Sequence, residues 1–184
     1  GAGAAISKDL GKKKNILDKT PVLGRLIRAF KNDSSIIYPG TLIKDKTKMF
    51  VDNCHCSVGV FVNRGFTGVS KVMILLNEEN DVFLLRYGRR VLRNKPSVRI
   101  RIMDMNGLAN SSKVIAQALV NLMTEFPDSV KIASSSMKNQ HYMKDFSLML
   151  ISYQSWNRLC TLDNSDFENV PSALIINKKR SRFH

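Results

Sequence analysis

Seven basic residues and no acid occupy the sixteen positions from Arg86 to Arg101, RYGRRVLRNKPSVRIR. Arg86, Arg89, Arg90, Arg93, Lys95, Arg99 and Arg101 are suited to anion capture rather than to bond making. A guanidinium presents a planar fork of donors that matches a phosphate in two-point contact. Each phosphate neutralised on a nucleic acid releases counterions, so such binding weakens steeply with salt. Tyr87 is the one aromatic inside the run, and its ring is of a kind that stacks on a nucleobase. Lys12, Lys13 and Lys14 form a second cluster near the start of the chain, with Lys8 close by.

The other reactive residue types have spacings that suit no catalyst. Cys54-His55-Cys56 holds two sulfurs and an imidazole, but structural zinc sites use two to four residues between paired cysteines and a second pair elsewhere. Cys160 and His141 are far away in sequence. The expectation is therefore a structural role, with Cys54 and Cys56 sharing one face of a strand. His141 and His184 have no serine or cysteine near them in a nucleophile pattern. Glu78, Glu79 and Asp81 fall in a turn, and Asp163, Asp166 and Glu168 in a loop, neither arranged as a carboxylate pair for acid–base work. There is no glycine-rich phosphate loop. The expectation is a protein that is not an enzyme and has no metal or cofactor.

Charge sets the partner class. The 184 residues carry a formal charge of +14 at an apolar fraction of 43%, so the chain is foldable yet strongly basic. Residues 1–50 alone hold 11 bases against 4 acids. Such an excess points to a polyanion: RNA or a ribonucleoprotein, an anionic membrane surface, or both. Three cysteines make no disulfide framework and suit a reducing compartment. No apolar run reaches the length of a membrane span, and no signal peptide is apparent.

The elements that must position these residues follow from periodicity. Residues 1–20 read as a flexible basic arm. Residues 21–39 read as a short amphipathic helix and a turn. Val22, Leu23, Leu26, Ile27 and Phe30 line one face and Arg25, Arg28 and Lys31 the other, a pattern fitted to a membrane interface or to a packing partner. Residues 40–176 read as one domain. Strands are expected at 41–43, 48–51, 57–62, 69–76, 97–103, 130–133, 146–153 and 172–176, with 156–162 continuing the sheet. Residues 81–86 are expected to pair back on 69–76 as a hairpin across Asn77–Asn80. Tyr87–Lys95 reads as a basic loop. In Ser97–Met103, Val98, Ile100 and Ile102 point one way and Arg99 and Arg101 the other. Lys113–Phe126 is the clearest helix, capped by Ser111 or Ser112 and stopped at Pro127. Residues 177–184 form a basic tail, as an import signal, a phosphate contact or a solvated end. The expected fold is α+β, a largely antiparallel sheet covered by one main helix, with the basic arm in front.

The run VRIRIMDMNGLANSSKVIAQALVNLM and, further on, FSLMLISYQSW, within Ser97–Trp156, resembles the core of rhabdovirus matrix proteins. The lysines of the arm fit the same likeness; a proline-rich late-domain motif is absent. The resemblance implies a non-enzymatic structural protein that binds nucleocapsid and anionic membrane and self-associates as a homo-oligomer during virion assembly. Arg86–Arg101 with Lys12–Lys14 would supply the charge, and Leu23, Leu26, Ile27 and Phe30 with Arg25 and Arg28 the membrane or partner contact. Its location would be host cytoplasm, membrane periphery and virion, with the nucleus open through the tail. The element order of Ser57–Tyr153 is also similar to the thirty-kilodalton superfamily of plant virus movement proteins, which implies a coat on single-stranded RNA. A capsid subunit with an RNA-binding arm is the third reading.

Overall fold

A computed structural model describes residues 45–133, 143–161 and 170–179 of the chain. The expected arm with Lys12–Lys14, the amphipathic segment with Leu23, Arg25, Leu26, Ile27, Arg28 and Phe30, the strand at 41–43, the acidic loop and the end of the tail lie outside the described residues.

The element order is α1 (Asp45–Asn53), β1 (Val58–Val62), β2 (Lys71–Leu76), a 3-10 turn (Glu79–Val82), α2 (Phe83–Asn94), β3 (Arg99–Asp104), α3 (Leu108–Ser111), α4 (Lys113–Glu125), β4 (Val130–Ile132), β5 (Leu148–Ser152), α5 (Tyr153–Thr161) and β6 (Ala173–Asn177). Six strands form one sheet in the order β1-β6-β5-β2-β3-β4. The chain is α+β with a mixed sheet, not a largely antiparallel one. The pairs β5–β6, β2–β5, β2–β3 and β3–β4 are parallel, and β1 against β6 is antiparallel.

One element accounts for the β2–β3 part of that difference. Residues 81–86 do not return as a hairpin strand; they belong to the 3-10 turn and to α2, and Tyr87–Lys95 is mostly the rest of that helix rather than a loop. A hairpin makes neighbours antiparallel, whereas a helix between two strands makes a crossover and parallel neighbours. Leu84, Leu85, Gly88 and Leu92 are buried along one side of α2 while Arg86, Arg89, Arg90 and Arg93 are exposed on the other. Gly88 looks like a loop residue in the sequence, yet here it is the contact point of helix and sheet. A Cβ at this position would lie 2.6 Å from Ile74 Cδ1 and 3.2 Å from Ile100 Cδ1.

Two other segments expected as strands are helices. Lys48–Val51 lies in α1, and Trp156–Thr161 lies in α5. Each puts bulky side chains on the second face of the sheet, Val51 from α1 and Tyr153 and Trp156 from α5, against Met73, Leu75, Met149, Ile151 and Ile175. The first face, with Val72, Ile74, Ile100, Ile102, Leu148 and Leu150, is covered by α2 and α4. The helix expected at Lys113–Phe126 is present as α4, with Ser112 Oγ accepting from Ile115 N–H at 3.3 Å as its N-cap and its end before Pro127. It is not the one main cover of the sheet, since α2 lies beside it and α1 and α5 cover the other face. Covering both faces explains why β5 and β6 read as unbroken apolar runs, every residue of both being buried.

Candidate functional site

The described chain runs outward from β2 through β3 to β4, then returns to lay β5 on the other side of β2. In open parallel sheets the crevice beyond the strand ends at such a reversal is the usual ligand site. In this protein the chain's own carboxylates occupy that edge. Asp81, fully buried, accepts from Asn77 N–H at 2.8 Å, Glu78 N–H at 3.1 Å and Ser155 Oγ–H at 3.0 Å. Asp104 accepts from the Leu108 and Ala109 amides, each at 2.8 Å, where α3 begins. Glu79 accepts from Ser112 Oγ–H at 2.5 Å, and Glu78 pairs with Arg158 at 3.2 Å. Backbone amides that would cradle a phosphate in a glycine-rich turn are thus spent on side chains. The acids 78, 79 and 81, expected in a hairpin turn, are instead the closures of these β-to-α turns.

The basic stretch divides into three parts. Arg86, Arg89, Arg90 and Arg93 stand at helical spacing i, i+3, i+4 and i+7 on the outer side of α2 and form one stripe. Arg89 and Arg93 converge on Glu125 at the end of α4. Arg93 Nε–H donates to Glu125 Oε1 at 3.0 Å, and Arg89 Nε–H donates to Oε2 at 2.5 Å. These two guanidinium groups hold the Glu125 carboxyl below the usual carboxylate range. Arg86 and Arg90 have no carboxylate partner among the described residues. Arg90 lies over the Tyr87 ring at 6.0 Å, and that ring meets Phe83 edge-on at 6.2 Å. Tyr87 is half-buried among these contacts.

Lys95 ends α2 and is a structural clamp, its ammonium donating to the Val69 carbonyl at 2.7 Å. Arg99 and Arg101 alternate with Ile100 and Ile102, which face α2 and α4, so they stand on the opposite face of the sheet from the stripe. Arg99 folds onto Ser129 Oγ at 3.3 Å, and Arg101 onto the Ile100 carbonyl at 3.1 Å. The seven residues from 86 to 101 are therefore not one surface.

Two features had a weaker signal in the sequence. Lys178 places its ammonium 5.7 Å from the Phe83 ring, beside the start of α2. At the other end of the sheet a groove of about 620 Å³ is lined by Arg64, Phe66, Lys144, Phe146, Pro171 and Ser172. Asn63 Oδ1 shapes its rim by accepting from Gly65 N–H at 3.1 Å and Phe66 N–H at 3.0 Å, with Gly65 at φ +83°.

Cys54-His55-Cys56 does not lie on a strand. The three residues follow the last turn of α1, with Cys54 N–H still donating to the Phe50 carbonyl at 2.9 Å. The two sulfurs are 3.0 Å apart. Among the described residues no group of three or more potential metal ligands comes together. Among the described residues, too, no helix is long and apolar enough to cross a membrane. No family model matches the chain, and no curated protein matches it.

Proposed function

We propose that this chain is a docking module rather than a catalyst, and that it settles on an anionic membrane surface through the arginine stripe of α2. The observation that carries this reading is the pair Arg86 and Arg90, fixed on a helix, exposed, and without a carboxylate partner among the described residues. A rigid row of guanidinium groups suits a field of lipid phosphates. The self-occupied edge of the sheet supports a binding role, because the amides nearest the usual ligand crevice already serve Asp81 and Asp104. Tyr87 is half-buried with Arg90 over its ring, which leaves the stripe to phosphate contact more than to base stacking and favours a lipid surface over a single strand held by stacked bases. The bridging role implied by the matrix-protein likeness would be one form of this function, with the ribonucleoprotein as a second partner.

The test is sedimentation with vesicles of phosphatidylcholine containing phosphatidylserine, across a salt series. Each basic residue near an anionic surface contributes about 1 kcal/mol. Arg86→Ala/Arg90→Ala is therefore expected to weaken binding roughly 30-fold and to flatten its salt dependence, while Arg99→Ala/Arg101→Ala, on the other face, leaves both nearly unchanged. Equal loss in the two double variants would mean that overall charge, not the stripe, attracts the membrane. Tight binding to a single-stranded RNA, lost in the Arg86/Arg90 variant, with no binding to vesicles would replace the membrane reading by the nucleic-acid one.

A further inference from the structure

We propose that Cys54 and Cys56 are a thiol–disulfide exchange site, which reacts with small disulfides of the glutathione type and closes to an internal disulfide. Four structural features converge on this pair. First, the sulfurs are already 3.0 Å apart, so bonding needs a closure of only about 1 Å to reach a disulfide length. Second, one intervening residue keeps the two Cα atoms within roughly 5–7 Å, inside the range a disulfide tolerates. Third, the site is accessible: Cys56 is exposed and Cys54 half-buried, and both are free thiols. Fourth, the residues around them are tied down. Asn53 Nδ2–H donates to the Met49 carbonyl at 2.7 Å, Asn177 Nδ2–H to the Val51 carbonyl at 3.2 Å, and Lys179 Nζ–H to the Asp52 carbonyl at 3.0 Å. The pair therefore sits on a joint anchored to β6.

The electrostatics divide the labour. The Cys56 side chain and then its backbone N–H, and more weakly the Lys179 ammonium, push the Cys54 thiol down, whereas the side-chain contact with Cys54 pushes Cys56 up. Cys54 is then the attacking thiolate and Cys56 the resolving thiol. Cys54 sulfur attacks one sulfur of glutathione disulfide, forming a mixed disulfide and expelling one glutathione thiolate. Cys56 loses its proton and attacks the Cys54 sulfur, and the second glutathione leaves as thiolate. Two protein thiols are oxidised by two electrons, and one glutathione disulfide is reduced to two glutathiones. A site of this kind suits a chain otherwise poor in cysteine, because disulfides in reducing surroundings are mostly transient and redox-linked.

The experiment equilibrates the full chain, carrying Cys160→Ser, with defined ratios of reduced and oxidised glutathione. Acid quenching, alkylation and peptide mass spectrometry then count internal disulfide and glutathione adducts. The same series runs in a denaturing concentration of urea. The expected result is an internal Cys54–Cys56 disulfide with little adduct. Its equilibrium constant should be at least about tenfold larger in the folded chain, because the fold brings the sulfurs together before they react. Cys56→Ser should trap glutathione on Cys54. An equal or smaller constant in the folded chain would overturn the proposal, as would lasting glutathione adducts on the wild-type pair. The comparison of folded and urea-denatured chain with Cys54 and Cys56 intact, run with Cys160→Ser and repeated on the unsubstituted chain, decides the matter even if Cys56→Ser misfolds.

Discussion

At the scale of single residues, the side chains that matter most are those whose neighbours leave no alternative. Gly88 is one. A leucine there would have to enter space held by Ile74 and Ile100, and urea denaturation is expected to show a loss of about 3 kcal/mol. Gly88→Ala should lose less, because its Cβ only displaces the Ile74 methyl and about 1 kcal/mol of helix propensity offsets part of that overpacking. Asp81 is another. Asp81→Ala leaves two backbone amides and the Ser155 hydroxyl without their acceptor in a fully buried place, at a cost of about 3 kcal/mol by the same measurement. Asp81→Asn, which keeps one acceptor oxygen, should lose less. The sequence made both residues visible but misleading. A glycine amid arginines, and an acid after NEEN, carry the usual marks of loops and turns, and neither signal shows that a sheet lies underneath.

At the scale of elements, α2 is where sequence and structure part. Its apolar residues Phe83, Leu84 and Leu85 are consecutive, and three in a row fit a strand as well as the start of a helix. What separates the two is Leu92, one helical repeat beyond Leu85, with Gly88 between. By contrast, α4 repeats its apolar side through Ile115, Leu119 and Leu122 and carries its own cap at Ser112. The helix could be read from its residues alone, β2 and β5 from their apolar runs, and β3 from the alternation of isoleucine and arginine. The division of the arginines could not, because Glu125 lies far from Arg89 and Arg93 in sequence and meets them only when α2 and α4 lie side by side.

That meeting yields two further expectations. The Glu125 carboxyl is held low by Arg89 and Arg93, so its pairing contributes stability above the ordinary carboxylate range and loses it as pH falls through the depressed value. Thermal melts of wild type and Glu125→Gln should differ at neutral pH and converge in acid below that range. The same variant releases both arginines into the stripe, and vesicle binding is expected to strengthen about fivefold. A substitution that weakens the fold would then tighten its attachment. Unchanged binding would mean that Arg89 and Arg93 do not reach the surface.

At the scale of the whole molecule, two apolar layers share one sheet, and protection should follow the strand order. Amide exchange is expected to be slowest in β2 and β5, the two central strands, and fastest among the strands in the three-residue β4 at the edge. Equal protection across all six strands would argue that the sheet opens only as a unit. The direction of the strands was the least legible property, because it depends on how each connection crosses the sheet rather than on any strand's own residues.

The antiparallel edge has a mechanical side. The described chain enters through α1 and leaves after β6, and Lys179 reaches back to the Asp52 carbonyl, so entry and exit share one corner. Val58 opposite Asn177 is the rung nearest that corner, and Val62 opposite Ala173 the farthest. A pull applied to both ends would meet these rungs one after another, as a zipper is opened, and never load them together in shear. Tension carried along the backbone would thus peel β1 from β6 at low force, while β2, β3 and β5 stayed folded behind it.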